Sequence, residues 1–101
     1  MNDTLNIQQL RSTVAPLAAR YGVERMDLFG SRARGDHRPD SDYDFLISKG
    51  RVHSLFTHAA LWQDLESALH APVDLVTDTS SDRELIQQAR KDAILLYEQQ
   101  R

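Results

Sequence analysis

Gly30 to Ile47, with the sequence GSRARGDHRPDSDYDFLI, is the stretch around which the rest of this chain is organised. It follows a short apolar run that ends at Phe29, and it closes with a second apolar run that begins at Phe45. A Gly-Ser pair between two apolar runs indicates a turn at the end of a strand. The stretch therefore predicts two strands with charged residues gathered where they begin and end.

Two aspartates, Asp42 and Asp44, open the second of these strands, which is predicted over 42–48. Successive side chains of a strand alternate between its faces, so both carboxylates lie on one face while Tyr43 and Phe45 lie on the other. Like charges on one face repel unless a cation lies between them, and hard divalent ions such as Mg²⁺ prefer oxygen ligands. The spacing favours a metal site, although a bare D-x-D motif also fits solvated acids at a strand end.

The first half of the stretch has the features of a phosphate site. Gly30 has no side chain to block a ligand, and Ser31 is expected to cap a short helix that runs through Arg34. The free backbone N–H groups of that helix would face an anion. Positive charge is added by three arginines, Arg32, Arg34 and Arg38. A nucleoside triphosphate with Mg²⁺ would fit a phosphate site beside a carboxylate pair, whereas Gly-Ser alone would indicate an ordinary turn.

The order of these residues resembles the signature of the DNA polymerase β-like nucleotidyltransferases, and in particular their minimal, single-domain prokaryotic members. The match consists of Gly30, Ser31, Ala33, Arg34, Gly35, Ser41, Asp42 and Asp44. The family's third acidic residue lies on a later strand, and Asp74, within the apolar run 72–77, fits that place. Without the other motifs, Asp74 would be interpreted as a charge on an edge strand. The resemblance implies an α/β fold, with a small mixed sheet flanked by helices.

The resemblance also implies roles for individual residues. The catalytic and metal-binding residues would be three aspartates, Asp42, Asp44 and Asp74. The nucleotide-binding residues would be Gly30, Ser31, Arg34 and Ser41. The cofactor would be Mg²⁺, as two ions, and the substrate would be ATP. For the carboxylates to act together they must lie on neighbouring strands, which is the main structural prediction.

Members of this family typically accompany a HEPN-domain toxin, so the resemblance implies a toxin–antitoxin pair. The chain would be an antitoxin that transfers AMP from ATP to a hydroxyl of the partner, expected to be that of a tyrosine. Two alternatives remain open. The chain could neutralise its partner by binding alone, or it could be the catalytic subunit of a nucleotidyltransferase that acts on a small molecule or RNA.

The other elements follow from hydrophobic periodicity. An apolar stripe predicts a first helix over 7–21, with a kink or a break at Pro16. A strand is predicted at 26–29, a helix at 55–69 and a strand at 73–77. A capping-box pattern at 81–84 begins a closing helix whose stripe reaches Tyr97. The predicted order is helix, strand, short helix, strand, helix, strand, helix. His37, in the loop before the aspartates, is expected to be solvated.

Composition limits the class of protein. The 101 residues, of which 41% are hydrophobic and 27% charged, predict one globular domain over 1–101. The chain has no cysteine, which excludes disulfides and thiolate metal sites, and its net charge of -3 argues against general nucleic-acid binding. Because neither a signal peptide nor a long apolar segment is present, a cytoplasmic protein without membrane contact is expected. A homo-oligomer and a hetero-oligomer with the partner both remain open.

Overall fold

A computed structural model describes residues 6–50, 52 and 54–100. The elements in chain order are α1 (Ile7–Tyr21), β1 (Arg25–Phe29), α2 (Ser31–Arg34), β2 (Tyr43–Ser48), α3 (Leu55–Leu69), β3 (Val73–Thr77), α4 (Arg83–Asp92) and β4 (Ile94–Glu98). The first seven follow the predicted order, and β4 is an additional strand. None of the helices within these residues is both long enough and apolar enough to cross a membrane.

The four strands form one mixed sheet in the order β3-β2-β1-β4. β1 is antiparallel to both β2 and β4, whereas β2 and β3 are parallel and are connected through α3. Asp44 is the Cα partner of Asp74 across β2 and β3. The main structural prediction is therefore confirmed for this pair, and Asp42 lies one residue before β2 begins. The predicted fold class, a small mixed sheet flanked by helices, is also confirmed.

Helices cover both faces of the sheet. On one face, α1 and α3 pack against a fully buried layer that includes Met26, Leu28, Phe45, Ile47 and Leu75. Burial of each large apolar side chain contributes roughly 1.5–3 kcal/mol to stability. On the other face, Ile86 and Ala89 of α4 pack against Phe29 and Leu46. Asp44 lies on this second face because it is two residues from Leu46 along the same strand.

The prediction of a closing helix through Tyr97 is wrong beyond Asp92. Ala93 has an extended backbone (φ -60°, ψ 130°), and the strand that follows, Ile94–Glu98, pairs with β1. An apolar run such as 93–97 fits a buried helix or a strand equally well, and its pairing with a strand about 70 residues earlier decides between them. The helix start also differs, since Asp82 accepts the hydrogen bond of the Leu85 backbone N–H at 3.1 Å and is the N-cap.

The predicted break at Pro16 does not occur, because α1 continues through it. Proline removes the hydrogen bond to the carbonyl of Ser12, but both residues lie on the exposed side of the helix, where water can satisfy that carbonyl. At its start, Asn6 and Gln9 form a reciprocal capping box, and at its end Gly22 adopts a left-handed conformation with φ 75°.

Contacts from α3 fix the start of β3. Trp62 Nε1 donates to the carbonyl oxygen of Val73 at 2.7 Å, and Glu66 Oε2 accepts from the N–H of the same residue at 3.0 Å. Leu61 and Leu65 of this helix are fully buried. Because Val73 directly precedes Asp74, these two hydrogen bonds help to fix the position of the third aspartate in the sheet.

Candidate active site

The predicted carboxylates lie together at one end of the sheet. At this end β1 finishes and the parallel strands β2 and β3 begin, so Asp44 and Asp74 are each the second residue of a strand. Asp44 is partly buried, whereas Asp42 and Asp74 are exposed. β3 is an edge strand, so Asp74 stands at the open side of the group.

Burial and nearby negative charges both disfavour ionisation of Asp44. Burial has the largest effect on Asp44, and the charges of Asp74 and then Asp42 add to it, so that the pKa of Asp44 is raised to about 6. Arg34 and Arg32 act in the opposite direction without cancelling this effect. A divalent cation would relieve the repulsion, and carboxylate oxygens are the ligands that Mg²⁺ prefers.

The donor set therefore suits Mg²⁺ in its chemistry. In the described ranges, however, no three His, Cys, Asp or Glu side chains already stand in an arrangement that could hold a metal ion. Binding of an ion by Asp42, Asp44 and Asp74 would therefore require their side chains to turn towards one another. The prediction that all three are metal ligands stays a prediction.

Gly30 lies so close to the side chain of Asp44 that a residue with a Cβ atom would not fit in its place. It has φ 75°, and a Cβ atom placed on it would overlap Asp44 Oδ2. Gly30 is also the N-cap of α2, because its carbonyl oxygen accepts from the N–H groups of Ala33 and Arg34. The prediction that Ser31 is the cap is wrong, since Ser31 is the first residue of the helix. A bare backbone thus lies directly beside the Asp44 carboxylate.

Two of the three arginines of this stretch, Arg32 and Arg34, form hydrogen bonds within the protein. Arg34 donates to Asp36 at 3.1 Å and to Asp92, the last residue of α4, at 2.9 Å. These two hydrogen bonds raise the pKa of Arg34 above its ordinary value. Arg32 is buried and donates to backbone carbonyls, an environment that was not predicted from the sequence.

Two other residues of the loop before β2 have local roles. The hydroxyl oxygen of Ser41 accepts from the backbone N–H of Arg38 at 2.8 Å, which closes the loop. His37 is partly exposed, as expected in part, but its Nδ1 is buried and has no hydrogen-bond partner. Contacts with a nucleotide by Ser41, Ser31, Gly30 or Arg34 remain predictions.

A separate cavity lies on the same face of the sheet, beyond α4. It has a volume of about 380 Å³ and is lined by Arg25, Asp27, Leu46, Ser48, Asp78, Arg90 and Ala93. Asp42, Asp44 and Asp74 do not line it. The cavity is therefore separate from the three aspartates, of which Asp42 and Asp74 are exposed and Asp44 is partly buried.

Known proteins share both the sequence pattern and the fold. Residues 12–101 match the family described as Polymerase beta, Nucleotidyltransferase. The chain is 34% identical over 76 residues to "Putative protein adenylyltransferase MJ0435" of Methanocaldococcus jannaschii, which covers 75% of this chain and 82% of that protein. It is 39% identical over 64 residues to protein adenylyltransferase MntA of Thermococcus cleftensis, covering 63% and 65% of the two chains.

A solved structure described as a toxin-antitoxin with AMP-PNP is similar in its fold. The TM-score is 0.77 and the identity 27%, with 89% of this chain and 74% of the other covered. The resemblance inferred from the Gly-Ser and D-x-D motifs is thus confirmed by sequence and by structure. Of the two relatives named above, one is described as a putative protein adenylyltransferase and the other as a protein adenylyltransferase. The chain belongs to the polymerase β nucleotidyltransferase family.

Proposed function

We propose that this chain is an antitoxin that transfers AMP from ATP, in a Mg²⁺-dependent reaction, to a hydroxyl of a HEPN-domain toxin and thereby neutralises it. The observation that carries the proposal is the placement of Asp42, Asp44 and Asp74 at one end of the sheet, with the backbone of Gly30 against Asp44. The relatives that are protein adenylyltransferases support a protein acceptor. The HEPN partner and the tyrosine acceptor follow from the family resemblance.

Each part of the site has a task in this reaction. Gly30 and Ser31 bind the β- and γ-phosphates, which leave as pyrophosphate, through backbone groups that no side chain obstructs. Asp42 and Asp44 would hold Mg²⁺, and Asp74 would be a further ligand. When bound, the ions supply neutralisation of the charge on the triphosphate and on the leaving group.

The transfer itself is a substitution at the α-phosphorus of ATP. The acceptor oxygen forms a bond to that phosphorus, the bond to the oxygen that bridges to the β-phosphate breaks, and pyrophosphate leaves. Asp74 orients the acceptor hydroxyl and takes up its proton. The exposure of Asp74 on the edge strand supports this role, because a side chain of a separate protein can reach it.

Intact-mass measurement of the partner tests this function. The HEPN-domain protein that co-purifies with the chain is incubated with ATP and Mg²⁺, and its mass is compared with that after incubation with the Asp42→Asn/Asp44→Asn variant. We expect a gain of one or more AMP units with the unaltered chain, and none with the variant or with excess EDTA. A stable complex without any gain in mass would contradict enzymatic transfer and favour an antitoxin that acts by binding alone.

A further inference from the structure

Arg32 is an unusual arginine because it is buried. It is the second residue of α2, and its side chain is only 8% exposed. Burial removes water from the guanidinium, and that cost is offset only if the donors and the flat face find partners inside the protein. Arg34, two residues further on, is exposed. Arg32 therefore needs partners inside the protein, whereas Arg34 remains in contact with solvent.

The guanidinium of Arg32 contacts the residues on both sides of Asp42. Nε and Nη2 donate to the carbonyl oxygen of Ser41 at 3.0 and 2.7 Å, and Nη2 also donates to that of Pro39 at 3.3 Å. On the other side, Cζ lies 4.0 Å from the centre of the Tyr43 ring, an attractive arrangement of a cation over an aromatic face. One side chain thus holds the backbone before Asp42 and the ring that follows it.

The segment needs such a support because Asp42 precedes the first residue of β2. The strand ladder begins only at Tyr43, which pairs with Val73 and whose N–H donates to the carbonyl of Pro72 at 3.0 Å. Tyr43 also stacks on Phe45, with ring centres 6.1 Å apart. The position of Asp42 relative to Asp44 therefore depends on the loop, and the loop is fastened to the sheet by Arg32.

We propose that Arg32 is a positioning residue that sets the distance between Asp42 and Asp44, and that it does not bind phosphate. The proposal rests on the proposed function, since it takes the acidic pair to be the metal and nucleotide site. Two ligands of one cation must be held to within about 0.5 Å of their working geometry. Loss of a supporting contact behind a metal ligand typically weakens metal binding by about 10–100-fold.

Two variants loosen the contact from opposite sides. Arg32→Lys keeps the charge but loses the planar fork and the stacked face, and Tyr43→Leu removes the ring while leaving the arginine in place. Arg20→Lys, on the exposed surface of α1, is the matched control for the arginine exchange. Thermal unfolding first establishes that each variant is folded at the temperature used.

The first readout is independent of activity. Backbone ¹⁵N relaxation of the ligand-free proteins should show lower order parameters at 40–43 in both variants, with the rest of β2 unchanged. The second readout is binding of AMP-PNP over a series of Mg²⁺ concentrations. We expect the Mg²⁺ concentration for half-maximal binding to rise about 10–100-fold in Arg32→Lys, with affinity nearly restored at saturating Mg²⁺.

Each outcome bears on the proposal. Order parameters at 40–43 equal to those of the unaltered chain would overturn it, and so would an unchanged Mg²⁺ requirement. A loss of AMP-PNP affinity that persists at saturating Mg²⁺ would instead identify Arg32 as a phosphate ligand. If the unaltered chain binds Mg²⁺ and AMP-PNP but transfers no AMP, the proposed function fails while the two readouts still decide the role of Arg32. If it binds neither, both proposals fall.

Discussion

Asp44 and Asp74 lie side by side as Cα partners across two parallel strands, and burial together with the charge of Asp74 raises the pKa of Asp44. A pair of acids held together in this way destabilises the fold unless something positive lies between them. The arrangement therefore links the stability of the domain to pH and to divalent ions, and this link can be measured without knowledge of the acceptor.

The stability of the metal-free protein should depend on pH through Asp44. Its pKa in the fold is about 6, above the ordinary value of 3.8, so the folded state binds the proton more tightly than the unfolded chain does. The contribution of protonated Asp44 to the free energy of unfolding is complete below about pH 3.8 and is lost as the pH rises through about 6. In EDTA at pH 7.5, Asp44→Asn should raise the melting temperature by a few degrees, on the order of 4–8 °C per kcal/mol for a domain of this size.

At pH 4 the difference between Asp44→Asn and the unaltered chain should largely disappear, because the carboxyl group is then protonated. Asp40→Asn, in the exposed loop, is the isosteric control and should change little at either pH. An equal gain at both pH values would show that ionisation of the Asp44 carboxyl group is not the cause.

Substitution of Gly30 should damage the site through overlap as well as strain. Gly30→Ala places a methyl group against Asp44 Oδ2 at φ 75°, and Gly35→Ala meets nothing within 4 Å at φ 88°. Backbone strain should cost each variant about 1–3 kcal/mol in urea unfolding. Only Gly30→Ala should also lose binding of AMP-PNP with Mg²⁺. Equal binding by both alanine variants would show that the close approach of Gly30 to Asp44 is unimportant.

The two partners of Arg34 allow its role to be separated from that of α4. The bond to Asp92 lies at the surface, so Asp92→Ala should change the stability of the fold little. If Arg34 binds nucleotide, Arg34→Gln should raise the KM for ATP, whereas Asp92→Ala, which removes one of the two carboxylate partners of the guanidinium, should leave the KM equal or lower. A rise of similar size in both variants would indicate that Arg34 acts only by holding α4.

Because α3 holds the start of β3, a substitution in α3 should lower both the stability of the fold and the rate of AMP transfer. Trp62→Phe keeps most of the buried ring but removes the hydrogen bond to the carbonyl of Val73, which should cost about 0.5–1.5 kcal/mol in urea unfolding. Because Val73 precedes Asp74, the rate of AMP transfer should also fall at saturating ATP. Glu66→Gln, which can still accept from the Val73 N–H, is the milder comparison. A loss of stability without any loss of rate would separate this contact from catalysis.

Local sequence was sufficient for the parts of the site that depend on periodicity. Alternation along the predicted strand 42–48 placed Asp44 on the face opposite Tyr43 and Phe45, and the strand at 73–77 has the bounds expected from its apolar run. Other features depend on partners distant in sequence. β4 is a strand because β1 pairs with it, and Arg32 is buried because backbone carbonyls of the loop that leads into β2 surround it. Neither fact is visible in the type or spacing of the residues concerned.

The position of β4 has a consequence for biosynthesis. β1, which ends beside Gly30, lies between β2 and a strand that is made about 70 residues later. Strand pairings between residues so far apart in sequence form late, because closing the long intervening loop costs conformational entropy before the pairing stabilises the fold. On the ribosome, β1 would remain an unprotected edge until residue 98 has left the exit tunnel. The sheet that carries the acidic residues therefore becomes complete only after nearly the whole domain has been translated.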